Sequence, residues 1–394
     1  MKTFKPKNTI MINLFKKREI LTLLISIAFI CISGYSQIPD FKYYEIGKVE
    51  EELLGQSSLV DMDKDGDLDW IVGSSGGSVY WFEYQAADKW IKHLIGEDAL
   101  TDKGGVAFDV DGDGWIDQVS GGTWYRNTGN PKERFERYEN GAIYSYDNIV
   151  GDINADGKLD LLSLSEQEGL FWYDIPENPK KKWKKVKVGD GITGGIFPNG
   201  IADIDNDGDN DIVRTNVWYE NLNGEGSKWE IHRTISFVES KGEFANSSRT
   251  LTLDFDKDGD IDMIQAESNS SNGEIAWLAN KDGLGINWFT HKIDYDTKQD
   301  LHSLCIADFD NDGDLDVFSG GGPKTGELYK RCFIWENTDS EGLEWKRYEV
   351  LSKTECFDAM AADVDGDGDI DICSKPWRGE VNYYLRNMLM EKEK

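Results

Sequence analysis
One nine-residue pattern, Asp-x-Asp/Asn-x-Asp-Gly-x-x-Asp, occurs seven times along the 394 residues of this chain. Its copies start at Asp61, Asp109, Asp152, Asp203, Asp254, Asp308 and Asp363, at spacings of 48, 43, 51, 51, 54 and 55 residues. Repeat units of this length bury their apolar faces only against neighbours of the same kind. Everything beyond about residue 41 is therefore expected to fold as one assembly.

The pattern is also a ligand set. Its first, third, fifth and ninth positions hold Asp61, Asp63, Asp65 and Asp69 in the first copy, and Asp109, Asp111, Asp113 and Asp117 in the second. The third copy has Asp152, Asn154, Asp156 and Asp160, the fourth Asp203, Asp205, Asp207 and Asp211. Then come Asp254, Asp256, Asp258 and Asp262; Asp308, Asp310, Asp312 and Asp316; and Asp363, Asp365, Asp367 and Asp371. Four carboxylates within nine residues repel one another unless a cation lies among them. Alternate side chains turn inward as the chain curls, the glycine permits the sharp turn, and position seven can offer a backbone carbonyl. With only oxygen ligands, the expected ions are structural calcium, up to seven.

Strand signals surround each loop in the same order. In the fourth unit, Gly200–Ala202 and Ile212–Thr215 flank the loop, Val217–Glu220 follows, and Trp229–Arg233 alternates as a fourth strand. Seven units of four antiparallel strands predict an all-β, seven-bladed propeller. The last unit ends at its third strand, Val381–Leu385, while Phe41–Ile46 near the start looks like an orphan fourth strand. The N-terminal strand is thus expected to complete the last blade and close the ring. Trp81, Trp124, Trp172, Trp218, Trp277 and Trp335 are read as equivalent third-strand packing residues.

Residues 1–36 open with basic residues and an apolar run, Ile20–Ile32, that reads as a secretory signal peptide cleaved before Gln37. The mature chain is therefore expected to be periplasmic or secreted, monomeric and without a membrane span. Export permits disulfides, so Cys305, Cys332, Cys356 and Cys373 are either buried thiols or a pairing. Losing the leader moves the formal net charge from −31 to −36. That field excludes nucleic acid as a partner.

The Asp-rich loops resemble the FG-GAP or VCBS repeats of integrin α-subunit and exported bacterial propellers. Shorter phrases, Leu301-His-Ser-Leu-Cys, Ser319-Gly-Gly-Gly-Pro, Phe333-Ile-Trp-Glu-Asn and Ser374-Lys-Pro-Trp377, look like exported propellers that break down polysaccharides. Seven-bladed sugar dehydratases and lyases, including those that process ulvan oligosaccharides, are the nearest likeness; aldos-2-ulose dehydratase is more distant. The resemblance implies a carbon–oxygen lyase that eliminates water from a uronate-containing oligosaccharide.

Function should reside where one blade departs from its siblings. His302 stands six residues ahead of its loop, where the other units have Gly55, Lys103, Tyr146, Phe197, Ser248 and Phe357. Blade-specific polar residues, among them Asn148, Lys324, Lys330, Trp377 and Arg378, map to the same end of the ring, and their basic members imply an anionic oligosaccharide. In a dehydratase His302 would be the base, Arg214, Arg249 and Lys375 a cationic clamp, and Tyr146 the acid. A non-catalytic glycan-binding or protein-interaction propeller is the alternative, and Glu267 with Asp358 is a carboxyl pair that a hydrolase could use.

Overall fold
The computed structural model describes residues 37–50, 54–74, 76–100, 103–141, 143–165, 167–190, 194–237, 248–325, 330–379 and 381–391. The expected signal peptide lies outside them. The described strands form seven antiparallel sheets, one per repeat, so the chain is an all-β, seven-bladed propeller. Blade one comprises Leu54–Val60, Asp69–Ser74, Val79–Ala86 and Lys89–Gly96. Blade four, where strands were expected most clearly, has Ile201–Ala202, Asp211–Arg214, Val217–Asn221 and Trp229–His232. Blade five gains a short fifth strand from outside: Pro198–Asn199 runs parallel to Ser248–Leu253.

Blade seven is made from both ends of the chain. Phe41–Lys48 pairs antiparallel with Val381–Asn387, Tyr44 opposite Tyr384. Tyr43 stacks on Tyr383 at 5.6 Å and Tyr44 on Tyr384 at 6.1 Å, so aromatic area reinforces the backbone ladder. Apolar clusters fill the interfaces between neighbouring blades. Ile149, Leu164 and Trp172 of blade three, for example, pack with Ile201, Ile212 and Tyr219 of blade four.

Each loop is anchored through its ninth aspartate, which is buried. One oxygen of Asp211 accepts the N–H of Ile204, the loop's second residue, at 3.0 Å; the other accepts that of Asn221 in the third strand at 2.9 Å. Asp262, Asp316 and Asp371 repeat both contacts. Asparagines on that third strand then tie neighbouring blades together. Asn387 Nδ2 donates to Phe309 O of blade six at 2.9 Å and to Ile370 O at 3.1 Å; Asn280 reaches Ile204 O in the same way.

The tryptophan register is corrected at one blade. Counting from the asparagine that meets the ninth aspartate, Trp335 sits one position later than Trp277, and Ile334 takes the equivalent place. Because strand residues alternate faces, Trp335 points the other way and its indole donates to Asp294 at 3.0 Å. The four cysteines are buried free thiols of blades six and seven.

Asn387→Ala removes a buried and a half-buried hydrogen bond at once. It is expected to lower unfolding free energy by about 1–3 kcal/mol, read from urea melts. An unchanged midpoint would show that the interblade staple carries no stability.

Candidate functional site
The loops present the features a hard cation needs. The sixth-position glycines take φ between +83° and +103°, the left-handed region closed to most side chains. Around six of these turns the first aspartate accepts the glycine N–H, as Asp203 does from Gly208 at 3.0 Å. Asp61, Asp63 and Asp69 bring oxygens within 4.8 Å of one another, and so do Asp109, Asp111 and Asp117, and Asp203, Asp205 and Asp211. Buried oxygens of Asp63, Asp67, Asp209, Asp254, Asp314, Asp365 and Asp369 have no hydrogen-bond donor. Oxygen atoms arranged this way fit a divalent ion such as calcium.

Beside its backbone carbonyl, the seventh position carries a further aspartate in most loops: Asp67, Asp209, Asp260, Asp314 and Asp369. Burial and the surrounding carboxylates push Asp67 up to about 7, and Asp209, Asp314 and Asp369 to about 6. Lysines approach two loops, Lys132 at 3.4 Å from Asp63 and Lys281 at 3.4 Å from Asp256, and arginines pair more closely with two others. Arg126 pairs with Asp111 and, at 2.6 Å, with Asp113; Arg386 pairs with Asp365 at 2.7 Å and Asp367 at 3.0 Å.

A cavity of about 820 Å³ lies at blades six and seven. The segment before the first strand of blade six, Cys305–Ala307, delivers His302 to its wall, held by its N–H to Gly320 O at 3.0 Å. The imidazole is 2% exposed and stacks on Phe357 at 4.0 Å, which in turn meets Trp377 at 4.6 Å. Behind it Arg249 donates from Nε to His302 O at 2.8 Å, and its Nη2 lies 2.8 Å from His302 Nδ1. Phe357 O is 2.9 Å from the same Nδ1. Burial first, then the Arg249 charge, holds His302 well below the usual histidine range, so the ring is neutral.

Lys103, Lys324, Lys330, Lys353 and Arg378 also line this cavity, against one carboxylate, Glu355. That acid is already engaged: Lys330 Nζ lies 2.7 Å from one oxygen, and Trp377 N–H donates to the other at 2.6 Å. An otherwise acidic chain has thus built one basic pocket. Tyr146 joins it with Lys103 over its ring at 5.0 Å, and Tyr43 and Tyr383 add aromatic wall.

Of the five residues expected to do chemistry, His302 and Tyr146 share the cavity. Arg249 and Lys375 stand behind its wall. Lys375 is buried under Phe357 at 4.4 Å, donates to Leu54 O at 2.8 Å, and is lowered by burial to about 7. Arg214 does not line the cavity. Its guanidinium donates to Gly194 O and Asp190 O in the connection from blade three. Apart from Lys103, which stands ahead of the second repeat's loop, the lining cations come from loops of blades six and seven; Lys353 and Glu355 escaped sequence reasoning because nothing local sets a loop lysine apart from a solvated one. The Glu267–Asp358 pair is likewise outside the cavity: Asp358 accepts from Ser57 N and Oγ at 2.9 and 2.7 Å and ties blade seven to blade one.

The family model described as FG-GAP-like repeat matches residues 152–214 and 254–319. The chain is a seven-bladed propeller that carries FG-GAP-like repeats within those two stretches. No curated protein matches it. Among the solved structures it resembles is an Agrocybe aegerita lectin described for specific recognition of non-reducing terminal N-acetylglucosamine. The two share 16% identity over 76% of this chain and 81% of the lectin, with a TM-score of 0.52, a likeness of fold. Among the described residues no helix is long and apolar enough to cross a membrane.

The arginine-bearing loops should hold calcium least, since a fixed positive charge opposes an incoming one. Under limiting chelator, native mass spectrometry is expected to show blades two and seven emptying first. Arg126→Gln and Arg386→Gln should each restore about one ion by that argument; uniform loss from all loops would refute it.

Proposed function
We propose that the cavity of blades six and seven binds an acidic oligosaccharide and eliminates water from its uronate ring. The observation that carries this reading is the basic, aromatic-walled pocket with a neutral, buried histidine in its wall. Five cations against one paired carboxylate select an anion, and flat aromatic rings suit the C–H faces of a sugar. Nδ1 can serve only one of its two neighbours at a time. With its proton given to Phe357 O, Nε2 carries the lone pair for the substrate.

Elimination then balances as follows. His302 Nε2 takes the proton from the carbon beside the carboxylate, and the C–H electrons form the new C4=C5 double bond. The C4–O bond breaks, and the hydroxyl leaves as water with a proton from Tyr146. Charge developing on the carboxylate falls to Lys324, Lys330 and Arg378, the lining cations, rather than to Arg214. Structural calcium in the loops would keep the blades in register from the other end. We place this activity outside the cytoplasm, as the leader-like residues 1–36 suggest.

The test is absorbance of the unsaturated uronyl product during incubation with uronate-containing oligosaccharides. His302→Ala is expected to slow it by roughly 10²–10⁴-fold while leaving substrate affinity nearly unchanged. A wild-type chain that binds such oligosaccharides yet yields no product would instead be a glycan-binding propeller, the reading the lectin likeness favours.

The acid limb of the rate profile follows from the direction of the His302 shift. Because the folded pKa lies below 6.5, the base form persists as pH falls, and kcat/KM should stay flat from pH 8 to about 6.5 before it drops. A fall beginning above pH 7 would remove His302 from the base role.

A further inference from the structure
The residue preceding the one that meets the ninth aspartate is Glu83, Arg126, Asp174, Glu220, Ala279, Glu336 and Arg386 in blades one to seven. It is charged in every blade but the fifth. In blades one and four this glutamate also receives a histidine from the outer strand. His93 Nε2 lies 2.8 Å from Glu83 and His232 Nε2 2.6 Å from Glu220, while each imidazole stacks on the blade's tryptophan, Trp81 or Trp218. Glu220 reaches the loop as well, with an oxygen within 4.8 Å of those of Asp205 and Asp207. The carboxylate thus stands between metal loop and histidine.

Blade five keeps the histidine and loses the carboxylate. His291 stacks on Trp277 at 4.3 Å as its siblings do, but its buried Nε2 has no hydrogen-bond partner. A cavity of about 630 Å³ opens there, lined by His291, Asp256 and Asp258 of the loop, Lys281, Phe289 and Leu343 among others. Phe289 is 56% and Leu343 53% exposed, apolar walls at the rim. Lys281 Nζ lies 3.4 Å from Asp256 and over the Trp277 ring at 5.6 Å.

We propose that this outer cavity of blade five is a second binding site, for the carboxylate of an acidic saccharide. The ligand supplies, between loop and His291, the group that Glu83 and Glu220 supply from the chain in blades one and four. His291 Nε2–H and Lys281 donate to that carboxylate, and Phe289 with Leu343 covers the sugar face. Asp256, Asp258 and Glu341, the carboxylates that line this cavity, would repel an anion on their own, so binding depends on calcium in the loop. The inference shares with the proposed function its acidic-saccharide class and the calcium reading, but uses neither His302 nor its cavity.

Calorimetry of the purified chain with D-glucuronate, in calcium and in chelator, tests it. Ala279→Glu puts the sibling side chain in place and is expected to weaken one class of glucuronate site by about tenfold or more, as should His291→Ala. Lys324→Ala with Arg378→Ala should leave that class intact and remove only binding in the cavity of blades six and seven. If Ala279→Glu weakens no class of glucuronate site, or if the class that persists in the Lys324→Ala, Arg378→Ala chain survives chelation while the chain stays folded, the site is overturned. Binding lost only through Lys324 and Arg378 overturns it too, while sparing the proposed function. Absence of any glucuronate binding overturns it as well.

Discussion
The structure depends on a carboxylate that is expensive to bury. The ninth aspartate of every loop sits in the sheet, and desolvation first, with the neighbouring carboxylates adding to it, pushes Asp69, Asp211 and Asp316 up to about 8. It is kept there because it accepts two backbone N–H groups, from the loop's second residue and from the third strand. Those bonds fix where the loop stands relative to its sheet. The asparagine beside the second bond then reaches the carbonyl of the preceding blade, so one side-chain pair sets both the blade and its neighbour.

This hierarchy explains how much could be read from sequence. The aspartates recur in phase, so blade number, strand order and closure by Phe41–Lys48 followed from counting. Even the fate of the tryptophans was mostly a matter of period, and failed only at Trp335, where one residue of slip reverses the face of a strand. The interblade asparagines were visible as Asn127, Asn221, Asn280 and Asn387, each just beyond the third-strand core, but asparagine near a turn has local explanations that hide a long-range one.

The candidate site was legible only in part, for a different reason. His302 could be singled out because six siblings define what is ordinary at its position. Arg214 was misjudged because occupying the same end of a blade does not decide whether a long side chain turns to the cavity or to nearby carbonyls. Lys353 and Glu355 lie in a connection between blades six and seven, where repeat alignment has nothing to compare. The cavity is asymmetric because these connections are, and symmetry-based reasoning is blind at that point.

The same logic of departure from the repeat gives meaning to the metal loops themselves. The third-strand position that faces a loop is acidic in blades one, three, four and six, basic in two and seven, and neutral in five. An acid there deepens the loop's need for a cation; Arg386 instead brings positive charge on the very strand that the N-terminal segment must find to close the ring. That charge offsets part of the loop's carboxylate repulsion in a blade whose halves lie at opposite ends of the chain and whose pairing closes the longest loop in the fold. Alanine in blade five does neither, and leaves His291 facing a cavity. At one position of a repeated strand the side chain thus adds negative charge beside the loop, adds positive charge, or leaves the neighbouring space open.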